Sequence, residues 1–364
     1  MKNWRNLPLA GFGFLVLTQT IRYVLARNPA LAEYQYARGL YPYLRHGLDG
    51  LSTLLPFPGV LFLPTLLLGY LGWLFFRPKP ILRKGRIVFD LLGALYFLFH
   101  LLWGFHYFRQ PIDHQWPMRA SSFTALALEA ESNMTTRELL AIRGRLGSPE
   151  EGLPLPSLQL PERERDRRLR ENLESWLLGH HQPLVAKVRV RTALPKGFFL
   201  HFSTAGMYFP FSGEGNADPG LHPLQLLPVI AHEMAHGYGF ADEGTCNFLA
   251  YVCHHQDEDP RIAYPATLAY WRYLVSNLRR FAPDRHRELL ATLPNGLSAD
   301  LEAMALWTDR YPDWFPGMQA RVYDAYLKRQ GITEGVRNYD KVIGLVMAYR
   351  AAADFIRKDR SSPK

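Results

Sequence analysis

The chain has 364 residues, with 42 Lys plus Arg against 33 Asp plus Glu and a formal net charge of +9. This length suits one large domain or two modest ones and excludes a peptide-sized scaffold. Two cysteines, Cys246 and Cys253, exclude both a disulfide framework and a four-cysteine zinc module, so free thiols are expected. The mean hydropathy of −0.14 averages two unlike parts, because the long uncharged runs all lie at the front.

Residues 6–21, 50–76 and 91–108 carry no Asp, Glu, Lys or Arg. About twenty apolar residues cross a bilayer as a helix, so 51–76 and 87–108 are expected as spans. Pro56, Pro58 and Pro64 should fray or kink the start of the first, and Asp90 should reach headgroups or water near one end of the second. Segment 7–21 is shorter and follows the basic start MKNWRN; it reads as a third retained helix, or as a signal peptide with small residues at Val24 and Ala26. Trp73, Trp103, Tyr107, Arg77 and Arg109 are expected as interfacial anchors, and simple wetting accounts for His106. The loop 77–86 holds Arg77, Lys79, Arg83, Lys84 and Arg86 without an acid, which places it in the cytoplasm. Everything after Arg109 then lies outside a bacterial inner membrane, on the periplasmic or extracellular side. Beyond that point basic and acidic residues interleave, so a nucleic-acid partner is not expected.

Residues 111–161 read as a partly helical linker, with one helix in SSFTALALEAESN, a second in TTRELLAIRGRLG and a Pro-rich connector. Residues 162–179 alternate charge signs around Leu169, Leu173, Trp176 and Leu177, the pattern of an amphipathic helix with a solvated face. Two or three strands are expected in VAKVRVRTAL and KGFFLHFSTAGMYFPFSGEG, and helices dominate from Leu224 onward. The expected architecture is α+β: an N-terminal bundle of three transmembrane helices over 1–110, the linker over 111–161, and a mostly helical exterior domain with a small sheet over 162–364.

His232-Glu233-Met234-Ala235-His236 is the pattern that carries chemistry. Residues four apart stack on one helix face, so both imidazoles can turn nitrogens toward one ion while Glu233 faces the adjoining open position. A catalytic zinc wants a third protein ligand. Gly237 and Gly239 end the helix, and DEGTCNFLAYVC resumes helical patterning with Glu243 in its first turn and Asn247 one turn later. Glu243 is the expected third ligand; Asp242, in a His-Glu-x-x-His-x-x-Gly-x-x-Asp layout similar to that of the metzincins, is the alternative. The implied reaction is zinc-assisted hydrolysis of a peptide bond, with Glu233 as general base toward an activated water. An exposed strand near GMYFPF would hold an extended peptide by edge pairing.

LWGFHYFRQP (102–111), AGMYFPFSGEGNA (205–217), IAHEMAHGYGFADEGTCNFLAY (230–251) and VYDAYLKRQGITEGVRNYDKVIGLV (322–346) together resemble the bacterial membrane-protein family called domain of unknown function 3810, over nearly the whole chain. The resemblance implies a zincin-like, specifically gluzincin-like, zinc peptidase domain with His232 and His236 as ligands, Glu233 as catalytic base and Glu243 as the first downstream acid. Family members usually read Glu-x-Glu-Ala-Asn-Phe after the motif, whereas this chain has Thr245 at the second acid. A non-catalytic pseudopeptidase acting as a membrane scaffold is therefore the rival reading.

Tyr339 is a candidate donor to a developing oxyanion, and Glu214 and Asn216, in a Gly-rich turn, are candidate substrate contacts. Cys246 reads as a small core residue, and the pairs His180-His181 and His254-His255 read as surface. Peptide or protein substrate and the lipid bilayer are the expected partners.

Overall fold

The uncharged runs at the front of the chain become helices, but not with the expected limits. In a computed structural model, which describes residues 9–54, 56–116, 118, 123–333, 335 and 340–361, the chain divides into two units. The first comprises Met1–Gln110, Val185–Val188 and Tyr208–Glu214; the second comprises Pro111–Leu184, Arg189–Met207 and Gly215–Lys364.

The first unit opens with α1 (Leu9–Arg27), α2 (Pro29–Leu31), a π-helical stretch (Ala32–Leu40) and α3 (Tyr41–Thr53). The expected span 51–76 is split: its first three residues end α3, and the long apolar helix α4 (Gly59–Phe76) starts only after Pro56 and Pro58, with Pro58 as its N-cap. The expected span 87–108 shifts forward into α5 (Ile81–Leu102), and Gly104–Phe108 tightens into a 3₁₀ turn. Among the described residues α4 and α5 are the helices long and apolar enough to cross a membrane. A core helix would hide its side chains, yet α4 exposes Leu66, Leu68, Trp73, Phe75 and Phe76, and the two helices point to membrane association.

Helix α1 runs parallel to α5. Gly11 N donates to Asp90 Oδ1 at 2.7 Å, Gln19 Nε2 to Tyr96 OH at 2.9 Å, and Arg22 Nη1 meets His100 Nε2 at 2.5 Å. Asp90 thus partners a backbone amide within the unit. A Cβ at Gly93 would lie 2.6 Å from the Gly11 carbonyl oxygen, so the crossing needs glycine there. Arg109 also differs from expectation. Its guanidinium grips buried Glu33 through Nε at 2.8 Å and Nη2 at 2.9 Å, with Arg38 Nε on the same carboxylate at 2.8 Å. The His106 ring packs against Tyr41 and Tyr36 at centroid distances of 4.1 and 4.8 Å, so packing and not wetting places it.

The second unit continues with α6 (Ile112–Gln115), α7 (Ala125–Arg143) and α8 (Glu162–Gly179). The two helices expected in the linker are one: Thr124 Oγ1 caps Ala127 N at 3.1 Å, and the hydroxyls of Ser132 and Thr136 each bond the carbonyl four residues back at 2.7 Å. The segment is built into the fold as well. Leu139 and Leu158 share a core with Leu224, Tyr264, Leu268 and Trp271, and Trp271 Nε1 donates to Thr136 Oγ1 at 2.8 Å. In α8 the expected face is buried through Leu169, Leu173 and Leu177.

Strands β1 (Val190–Arg191), β2 (Gly206–Phe209) and β3 (Glu214–Ala217) form a sheet in the order β1-β3-β2, with β1 parallel to β3 and Val190 opposite Gly215. FFLHF, read as strand material, is instead a turn with 3₁₀ geometry at Leu200–Phe202. The buried Asp218 carboxylate dictates this, accepting from Gly197 N at 2.8 Å, Phe199 N at 2.7 Å, Leu200 N at 3.3 Å and Gly220 N at 2.7 Å. The remaining helices are α9 (Pro223–Gly237), α10 (Glu243–Val252), α11 (Pro260–Phe281), α12 (Pro283–Ala291), α13 (Asn295–Thr308), α14 (Met318–Arg329) and α15 (Lys341–Ser361). His254, expected on the surface, is fully buried: its Nδ1 meets Ala250 O and its Nε2 meets Leu169 O, both at 3.0 Å. His180 is half-buried because its ring stacks on Trp176, one helical turn earlier, at 3.8 Å.

Candidate metal centre

Pro223 begins α9, where its missing N–H costs nothing, and His222 Nδ1 accepts from Leu224 N at 3.3 Å. Leu224, Leu227, Ile230, Ala231 and Met234 bury one side of the helix, which fixes its rotation and sets His232 and His236 on a common face. The helix stops at Gly237. Gly239, at φ +87°, then takes the left-handed conformation that turns the chain back, so that the Phe240 carbonyl reaches the ring it has just passed.

Each imidazole is oriented from behind. His236 Nδ1 lies 2.7 Å from Phe240 O, and since a carbonyl only accepts, that nitrogen carries the hydrogen. His232 Nδ1 donates likewise to Asn247 Oδ1 at 2.8 Å. Both rings therefore turn the lone pair of Nε2 forward, and both nitrogens face one buried carboxylate oxygen: Glu243 Oε2 lies 3.1 Å from His232 Nε2 and 3.6 Å from His236 Nε2. The other oxygen of Glu243 accepts from the Tyr323 hydroxyl.

A cation suits this convergence. Burial alone would raise Glu243, but the imidazoles of His236 and His232 hold its carboxyl well below the usual range. Burial would lower His236, yet Glu243 and the Phe240 carbonyl leave it raised. The site thus asks for positive charge where the three donors meet. His232, His236 and Cys246 are also a buried group able to hold a metal ion, with donor atoms within 4.8 Å of one another. Cys246 Sγ lies 3.2 Å from His236 Nδ1 and 3.2 Å from Phe240 O, behind the ring and on its hydrogen-bearing side. An ion there would displace the bond to Phe240, whereas an ion at the Nε2 face meets both Nε2 atoms and a carboxylate. The geometry favours His232, His236 and Glu243.

Asp242, the alternative third ligand, is otherwise engaged. Its Oδ1 caps α10, accepting from Thr245 N at 2.8 Å and Thr245 Oγ1 at 2.6 Å, and Lys341 Nζ lies 3.4 Å away. Thr245, where the resemblance leads one to expect an acid, holds this cap. Glu233 follows His232 on α9 with 5% of its surface exposed, and its Oε2 has no hydrogen-bond partner among the described residues. Burial and the charge of Glu243 push its carboxyl up to about 8, against the pull of His232. The backbone of the edge strand comes close: a Cβ on Gly206 would lie 2.8 Å from Glu233 Oε1.

His232, Glu233 and Tyr323 open onto a cleft of about 910 Å³ that is also lined by Ser203 to Gly206, Asn247 and Tyr273. Glu214 and Asn216 are not part of it. Glu214 accepts from Gly59 N at 2.9 Å inside the first unit, and Asn216 Nδ2 donates to Met207 O at 3.3 Å, tying β3 to β2. Tyr339 lies outside the described residues. Sequence reasoning missed Tyr323, whose only signal was its place in the segment 322–346 that carries the family resemblance, eighty residues from the acid it touches.

The family model described as Protein of unknown function (DUF3810) matches residues 36–347. The chain belongs to this family. The matched stretch takes in the ligand face of α9, the cap and carboxylate of α10 and Tyr323 of α14, so the whole centre is family sequence. No curated protein and no solved structure matches the chain.

Proposed function

We propose that this protein is a membrane-anchored, zinc-dependent peptidase that cleaves peptide bonds on the periplasmic or extracellular side of a bacterial inner membrane. The observation that carries the reading is the meeting of two Nε2 lone pairs and Glu243 Oε2, 3.1 and 3.6 Å apart, with each Nδ1 committed to a fixed acceptor. Two nitrogens and one oxygen suit zinc with a fourth position left open. When bound, the ion supplies Lewis acidity toward a water and a scissile carbonyl, and its charge favours the ionised form of Glu233. Glu233 takes the proton of the attacking water at its unpartnered Oε2 and later delivers it to the leaving amine. Asn247 and the Phe240 carbonyl keep both rings in the tautomer that the site requires. Strand β2 is an edge of the sheet, and Gly206 brings its backbone to Glu233, which supports holding an extended peptide by strand addition. Tyr339 is retained as the proposed oxyanion donor.

The anchor is proposed as three spans, α1 joining α4 and α5. Parallel α1 and α5 begin on the same side, and the basic loop 77–86 before α5 favours the cytoplasm for that side. The pseudopeptidase reading rested on Thr245; the bond of its hydroxyl to Asp242 gives that residue a structural task and favours the enzyme.

The test is metal content and turnover of the purified full chain. Wild type should carry about one zinc per chain, and Glu233→Gln should keep the metal while losing cleavage of envelope peptides. A folded chain without stoichiometric zinc, or equal cleavage by the variant, would end the reading.

A further inference from the structure

Helix α11 forms one wall of the cleft with a mostly apolar surface that includes Ala266, Ala269 and Val275. Two arginines interrupt it. Arg272 and Arg279 both line the cleft, and seven residues on a helix return to nearly the same face about 10 Å further along. Neither has an ion-pair partner among the described residues, although their neighbour Arg280 pairs with Asp340 at 3.6 Å and Arg350 is held by Glu138 at 2.7 Å. The acids that line the cleft do not neutralise them: Glu233 belongs to the metal centre and Asp340 faces Arg280. Both arginines line the same cleft as His232 and Glu233.

Resting on the peptidase reading, we infer that the substrate carries a carboxylate within a few residues of the scissile bond and that Arg272 and Arg279 read it. A guanidinium matches a carboxylate with two parallel N–H···O bonds, and both arginines are exposed at the cleft, where a substrate can reach them. The carboxylate has two possible sources, the free C-terminus of a short peptide or an Asp or Glu side chain. Either accounts for positive charge in the cleft that the acids lining it do not neutralise.

The experiment uses the full chain carrying Glu233→Gln, loaded with zinc in detergent, so that binding is measured without turnover. The probes are four versions of one short fluorescein-labelled peptide, with a free or amidated C-terminus and with Glu or Gln at one internal position. Neutralising the recognised carboxylate should weaken binding about tenfold, and which arm weakens names the source. Adding Arg272→Ala and Arg279→Ala should make the four peptides bind alike, and the Lys versions should restore part of the preference. The preference should also fall as salt rises. Equal affinity for all four peptides, no binding by any, or a preference that survives both Ala substitutions overturns the inference. Cleavage assays with wild type separate the two ideas. No cleavage alongside a preference kept by the Glu233→Gln chain sinks hydrolysis alone, and cleavage indifferent to all four peptides sinks carboxylate recognition alone.

Discussion

Two buried donor sets share His232 and His236, one completed by Glu243 and the other by Cys246, and paired substitutions separate them. Glu243→Gln keeps the shape and the contact with Tyr323 but removes the charge 3.1 and 3.6 Å from the two Nε2 atoms. Groups that only orient ligands are worth about 10–100-fold in metal affinity, so a ligand itself should be worth more than about a hundredfold, or roughly 2.7 kcal/mol. At free zinc of about 100 times the wild-type Kd, binding stabilises the wild-type fold by about 2.7 kcal/mol; with Kd a hundredfold weaker the same zinc contributes about 0.4 kcal/mol. Cys246→Ala deletes one fully buried sulfur, costing about 1 kcal/mol in the apo protein, and leaves the zinc increment intact. Thermal unfolding with and without zinc reads the increments, and chelator competition reads Kd. A Cys246→Ala protein that loses its zinc increment while Glu243→Gln keeps it would refute the assignment of the Nε2 face.

Asn247→Ala should weaken zinc about 10–100-fold by freeing the His232 ring, and Asn247→Asp, which still accepts from Nδ1, should not; chelator competition checks both. Asp300→Ala should destabilise the protein by about 3–5 kcal/mol, because Arg143, 2% exposed, loses the carboxylate 2.8 Å from its Nε and Tyr264 and Leu153 N lose their acceptor; thermal unfolding at pH 7 measures it. His255, pushed down to about 4 by burial first and by Arg350 second, is neutral when folded. Its contribution is fully present above the unfolded value of about 6.5 and is lost as pH falls toward 4, so His255→Gln should flatten the stability profile across that window by about 1–3 kcal/mol.

What could be read along the chain was whatever a local pattern encodes. The spacing of His232 and His236 specified a shared helix face, Gly237 and Gly239 specified the stop, and the resumed pattern put Glu243 and Asn247 on adjoining turns; all three features are present in α9 and α10. The helix at 162–179 followed from its charges and leucines for the same reason. Patterns misled where a distant partner overrode them. FFLHF looks like a strand, but one carboxylate, Asp218, draws its amides into a turn. The region 111–161 reads as a partly helical linker, but α7 lies in the core against α11. Arg109 looks like an interfacial anchor until Glu33, seventy-six positions earlier, is found between it and Arg38.

The amino-acid order therefore determined the candidate ligands, the candidate base, the apolar helices and the α+β character, because helix periodicity and bilayer length act over neighbouring residues. Tertiary structure alone decided that Asp242 caps α10, that Cys246 sits behind His236, that Tyr323 donates to Glu243, and that Arg272 and Arg279 line the cleft with no ion-pair partner among the described residues. Each of these depends on which nitrogen or oxygen points where, and that is set by packing between helices far apart in the chain.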